Sequence, residues 1–141
     1  MSEPPTAAEI VIPSDFAEAR RVQQEIEQAL QSARYGDRDI FSIQLALEEA
    51  LANAIKHGNQ LDPNKRVSVW YSVTPDRFDV RITDEGPGFD PADVPDPTLP
   101  ENIERFCGRG LLLIRNFMSM VEYQGKGNVV VMSKVRNGQV E

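Results

Sequence analysis

The apolar positions of this chain change their period several times, and each change marks an element. Glu9 to Ile12 alternates and is stopped by Pro13, which predicts a short strand. Phe16, Ala19, Val22, Ile26 and Leu30 then recur at three- and four-residue steps, the stripe of an amphipathic helix. Ser14 or Asp15 can cap this helix, which runs to about Arg34 and is ended by Gly36. A second helix is predicted from about Arg38 to His57, with the stripe Leu47, Ala50, Leu51, Ala54 and with Gly58 in the usual C-terminal glycine position.

The period then drops to two. Val67, Val69, Tyr71 and Val73 alternate, Thr74-Pro75-Asp76 turns the chain, and Phe78, Val80 and Ile82 alternate again: a hairpin whose second strand ends at Thr83. Residues 84–110 hold prolines 87, 91, 95, 97 and 100 and glycines 86, 88, 108 and 110. A loop that long is uncommon inside a small domain, and the expectation is that it is functional or else disordered. Leu111 to Met120 is predicted as a helix, Val121 to Tyr123 as a short strand, and Asn128 to Val135 as a closing strand. The order β-α-α-β-β-loop-α-β predicts an α+β fold. It would be a two-layer α/β sandwich, with a mixed, mostly antiparallel sheet and helices on one face. The expected organisation is a flexible tail over 1–8, one domain over 9–136, and a C-terminal tail over 137–141.

Bulk properties narrow the function classes. With 141 residues the chain suits one domain, and 40% hydrophobic with 26% charged residues is an ordinary soluble composition. A net charge of −7 argues against nucleic acid and anionic membranes as direct partners, so any phosphate ligand needs local help. A single cysteine, Cys107, excludes an intrachain disulfide, and one Cys with one His cannot build a zinc site. The N-terminus lacks a signal-peptide pattern and no apolar run approaches the ~20 residues of a membrane span. The expectation is a soluble, cytoplasmic protein.

Three polar clusters carry candidate chemistry. Glu49, Asn53 and His57 recur every four residues, which lines them up along a helix. Glu49 suits a general base and Asn53 a hard cation such as magnesium, while the small Ser42, Ala46 and Ala50 would leave room for a ligand against the helix. The same line also fits a solvated flank, and His57 a helix C-terminus. In Asp84-Glu85-Gly86-Pro87-Gly88-Phe89 a carboxylate at a strand end can accept from an amino group such as that of adenine, and Gly86 and Gly88 let a flat ring approach. A plain loop has the same composition. In Gly108-Arg109-Gly110-Leu111 the glycines can offer free N–H groups to phosphate and Arg109 can reach it, or they simply introduce a helix.

The three segments EALANAIKHG, DEGPGF and GRGLLLI, in this order, resemble the boxes of the Bergerat-type ATP-binding fold shared by gyrase B, MutL and histidine kinases. More closely, the chain from about Ile10 to Val135 is similar to the small anti-sigma-factor serine/threonine kinases of bacteria, including GRGLLLIRNFMSMVEY and the lack of a sensor domain. The resemblance implies ATP and Mg2+ as cofactors. Glu49 would be the catalytic base, Asn53 the magnesium ligand and Asp84 the reader of the adenine amino group. Gly86 and Gly88 would form the turn beside the base, Gly108 and Gly110 the glycines of the ATP lid with Arg109 at the phosphates, and His57 and Gly58 the end of the first box. It also implies a sigma factor as sequestered partner, an antagonist protein as phosphorylation substrate, and a homodimer. Where the family's last strand often begins Gly-Thr-Thr, this chain has Gly127-Asn128-Val129, and Asn128 can substitute for the hydroxyl. The rival expectations are a non-catalytic nucleotide-binding module that sequesters a protein partner, and a scaffold that binds no nucleotide.

Overall fold

The computed structural model describes residues 6–86, 117–125 and 128–136. Strand β1 (Thr6–Pro13) leads into helix α1 (Phe16–Ser32) and helix α2 (Asp37–Ala52), which continues as a π-helical turn, Asn53–Gly58. Strands β2 (Arg66–Val73), β3 (Arg77–Asp84), β4 (Met120–Gln124) and β5 (Val129–Val135) follow. They form one sheet in the order β1-β2-β3-β5-β4, and every neighbouring pair is antiparallel. The parallel component that the expected mixed sheet allowed is therefore not seen among the described residues.

The α+β sandwich follows from the alternation. In register, Val67, Val69, Tyr71 and Val73 of β2 stand beside Asp84, Ile82, Val80 and Phe78 of β3, so the apolar members of both strands share one face. That face packs against Ile26, Leu30, Ile43, Leu47, Leu51 and Ile55 from the helical layer in a single core. The opposite face is mixed: Arg81 lies 5.4 Å over the Trp70 ring. The hairpin turn is tied by Thr74, whose hydroxyl accepts from the Asp76 and Arg77 amides.

Several expected boundaries move, each for a local reason. The tail expected over 1–8 gives way at Thr6, because Thr6, Ala7 and Ala8 pair with Val73, Ser72 and Tyr71 along the edge of β2. Asp15, and not Ser14, caps α1: its carboxylate accepts from the Ala17 amide at 2.7 Å. Met120, expected at a helix end, is the first residue of β4, opposite Ser133. Asp84 belongs to β3, one residue beyond the expected end. Residues 111–116 of the expected helix, the loop beyond Gly86 and the expected tail 137–141 lie outside the described residues.

Helix α1 is reversed by Arg34, in the left-handed region at φ 66°, whereas Gly36 has extended backbone and opens α2. A side chain from the far end of the chain holds this corner. Arg136 donates to the carbonyls of Ala33, Arg34 and Pro75, and its guanidinium lies 4.6 Å over the Tyr35 ring. It thus joins the α1–α2 corner to the β2–β3 turn. Arg136→Ala is expected to cost about 1.5–3 kcal/mol. Arg136→Lys should recover little of that, because an ammonium cannot both fork between carbonyls and stack. Urea denaturation of the three proteins checks both statements.

Candidate functional site

Glu49 and Asn53 stand one turn apart at the C-terminal end of α2, both half-buried. The alignment read from four-residue spacing holds for this pair and then fails. From Asn53 the helix widens to the π form, so His57 no longer follows on the α-helical line. His57 is exposed, and the slight desolvation of its ring together with Lys56 lowers its pKa below 6.5. It is therefore neutral at neutral pH and supplies no positive charge to the helix end. Ser42, Ala46 and Ala50 do not leave open room as expected. They are 6%, 1% and 4% exposed, on the packed side of the helix.

The wide turn closes with the Asn59 amide on the Ala54 carbonyl and the Leu61 amide on that of Ile55, both 2.8 Å. The left-handed residues that reverse the chain are Gln60 and Leu61, at φ 55° and 61°. Gly58 is thus not the left-handed cap its position suggested. Its role is close approach: a Cβ there would lie 2.4 Å from Cγ and Oδ2 of Asp84. A Cβ on Gly86 would meet the Gly58 carbonyl oxygen at 1.9 Å. Two glycine backbones, one from the helical turn and one from the strand end, therefore press together around the Asp84 carboxylate.

Hydrogen bonds fix that strand end from both sides. On one side the Asp84 amide donates to the Asn128 carbonyl, and Asn128 Nδ2 returns a bond to the Asp84 carbonyl, both 3.0 Å. On the other, the Glu85 amide donates to Asn59 Oδ1 at 2.8 Å, and Glu85 Oε1 accepts from the Arg66 amide at 2.7 Å. Asn59 is fully buried; its Nδ2 donates to Ser14 Oγ at 2.9 Å and to the Arg66 carbonyl at 3.0 Å. Ser14 in turn donates to the Lys65 carbonyl, which explains why it does not cap α1.

Burial raises the Asp84 pKa above 3.8, opposed by the hydrogen bond from the Gly86 amide and by the charge of Lys65. A carboxylate short of solvent and holding one donor keeps acceptor capacity for a ligand N–H. Asn53 offers the hard oxygen on the helix. Among the described residues no three His, Cys, Asp or Glu side chains gather as a metal site, so a cation here would take most ligands from elsewhere, as magnesium does. Of the expected site residues, Asp84 and Gly86 meet the turn that Glu49 and Asn53 lead into. Gly88, Gly108, Arg109 and Gly110 lie outside the described residues. The sequence reading missed Asn59, which looks like one more turn residue after Gly58; Asn128, read as able to substitute for the family's hydroxyl, bonds the Asp84 backbone carbonyl through its Nδ2.

Residues 12–134 match the family model of the histidine kinase-like ATPase domain. The chain is 32% identical to the serine-protein kinase RsbW of Bacillus subtilis over 108 residues, spanning 72% of this chain and 68% of that protein. It is 32% identical to the protein of that name from Listeria monocytogenes over 113 residues, spanning 72% and 70%. In fold it is similar to the crystal structure of the RsbU and RsbW domains of Rv1364c from Mycobacterium tuberculosis, with a TM-score of 0.63 at 17% identity. That match covers 95% of this chain and 32% of the other. No helix among the described residues is long and apolar enough to cross a membrane.

The raised pKa has a consequence for stability. The folded carboxyl holds its proton more tightly than the unfolded one, so its charge opposes folding at neutral pH. The penalty fades as pH falls through the raised pKa and is gone below 3.8. Asp84→Asn keeps an oxygen for the Gly86 amide and removes the charge. It should melt above wild type at neutral pH, with the gap closing as the pH is stepped toward 3.8, in thermal melts of both proteins.

Proposed function

Because the chain belongs to the histidine kinase-like ATPase domain family, within which it is related to serine-protein kinases, we propose that it is an ATP-dependent protein serine/threonine kinase and an anti-sigma factor. It sequesters a sigma factor in the cytoplasm, as a homodimer, and phosphorylates a small antagonist protein that would otherwise free that factor. The observation that carries the nucleotide site is the contact of Gly58, Asp84 and Gly86, which holds a partly desolvated carboxylate at the strand end with the Gly86 amide on one of its oxygens.

When bound, ATP supplies the γ-phosphoryl group and the polyanion on which Mg2+ is shared. The protein's own part is positioning and charge. Asp84 accepts a hydrogen bond from the amino group of the purine, and a guanine, which carries a carbonyl there, would instead face it with an acceptor. Asn53 holds the magnesium through its amide oxygen. Glu49, one turn earlier, orients the serine or threonine hydroxyl of the antagonist and accepts its proton. Gly88, Gly108, Gly110 and Arg109 complete the purine turn and the phosphate lid, and His57 borders the site as a neutral ring.

Two variants test the assignment. Glu49→Gln should lower transfer of labelled phosphate to the antagonist by about 10²–10⁴-fold while leaving ATP affinity within a few-fold. Asn53→Ala should bind ATP with little gain from added magnesium, as read by calorimetry with and without the metal. Equal transfer by Glu49→Gln and wild type would remove Glu49 from the reaction. Tight ATP binding by wild type without transfer to any antagonist would leave the non-catalytic module.

A further inference from the structure

We propose that Asn59 is a positioning residue for nucleotide selection: through the Glu85 amide it sets the place of the Asp84 carboxylate, and with it the affinity for adenine over guanine. This rests on the purine site proposed above. Three observations carry it. Asn59 is 0% exposed, and among the described residues its side chain bonds to the protein's own framework. Those bonds collect three separate segments: Ser14 before α1, Arg66 at the start of β2, and Glu85 just past the end of β3. And the residue it holds, Glu85, lies between Asp84, which bears the carboxylate, and Gly86, whose amide bonds it.

The geometry gives the hub its leverage. β3 leaves the sheet at Asp84, so the following amides are no longer fixed by the strand ladder. Asn128 anchors the Asp84 backbone on the β5 side, and among the described residues Asn59 and the Arg66–Glu85 bond anchor Glu85 on the other. The Gly86 amide then reaches back to Asp84 Oδ1 at 2.8 Å, fixing which carboxylate oxygen is left for a ligand. Losing Asn59 frees the Glu85 amide, leaving Glu85 held through its side chain by Arg66 and the Gly86 amide less firmly placed. The carboxylate can then turn toward solvent, where a flexible acceptor discriminates poorly between donor and acceptor edges.

The test compares wild type, Asn59→Ala, Asp84→Asn and the double variant, using ATP and GTP as probes with magnesium. Asn59→Ala should raise the KM for ATP about tenfold, the scale of one buried hydrogen bond, with kcat nearly unchanged. The preference for ATP over GTP should narrow by a similar factor. In the Asp84→Asn background the same substitution should add little, because its effect passes through Asp84. Should Asn59→Ala fail to fold, Ser14→Ala loosens the hub from its far side and should raise the KM for ATP by a smaller factor in the same direction. An unchanged KM and nucleotide preference, with only a lower melting temperature, would overturn the proposal and leave Asn59 as a structural residue. Wild type that binds no ATP at millimolar concentration would instead overturn the purine site itself.

Discussion

The contact between two backbones, that of Gly58 at the end of the helical turn and that of Gly86 beyond β3, fixes the geometry of everything around it. A single methyl on either glycine would occupy atoms already present: the Asp84 carboxylate on one side, the Gly58 carbonyl on the other. Closeness of this kind serves two ends. It brings the helix that carries Glu49 and Asn53 against the strand that carries Asp84, so residues more than thirty positions apart share one region. It also withholds water from the carboxylate, which raises its proton affinity and makes an incoming N–H worth more than it would be in bulk solvent.

The rest of the fold makes that contact reproducible. The β2–β3 hairpin is buried along one entire face, which forbids a slip of one residue because such a slip would turn Phe78, Val80 and Ile82 outward. Register therefore delivers Asp84 opposite Val67 every time. Beyond the ladder, side-chain amides take over from backbone pairing. Asn59 and Asn128 sit on opposite sides of the strand end, and each bonds its backbone directly. Amides suit this work, since they donate and accept from one planar group and add no charge next to a carboxylate already short of solvent.

Much of this was legible in the sequence, and the parts that were not share a cause. Period-two alternation located the hairpin, and period-three-and-four spacing located both helices, because each pattern is set by the burial of one face. Glu49, Asn53 and Asp84 stood out for their chemistry. The π-helical turn did not, because the apolar stripe through Ala54 and Ile55 stays buried whether the turn is tight or wide. Gly58 looked like a helix cap for the same local reason; its true constraint comes from Asp84, 26 residues later, and no local rule reports it. Ser14 and Asn59 were unreadable in kind. Each is a turn residue by composition, and only the folded arrangement sends Ser14 to Lys65 and Asn59 to Glu85.

Charge sorts the two ends of the proposed nucleotide site. The protein carries −7 overall, and a triphosphate is itself strongly anionic, so uncompensated attraction cannot bring them together. The acidic group proposed for the purine end would do no harm there: it would meet an amino group and not a phosphate. Glu49 would be different, because as the proposed base for the hydroxyl it would work beside the phosphoryl group, where its own charge repels the oxygens it must serve. On the proposed function Asn53, one turn away, would answer this, since a neutral amide can hold magnesium without adding negative charge beside Glu49. On this arrangement the cation would be more than a ligand of ATP. It would be the condition under which a carboxylate base and a polyanion can occupy the same side of one helix.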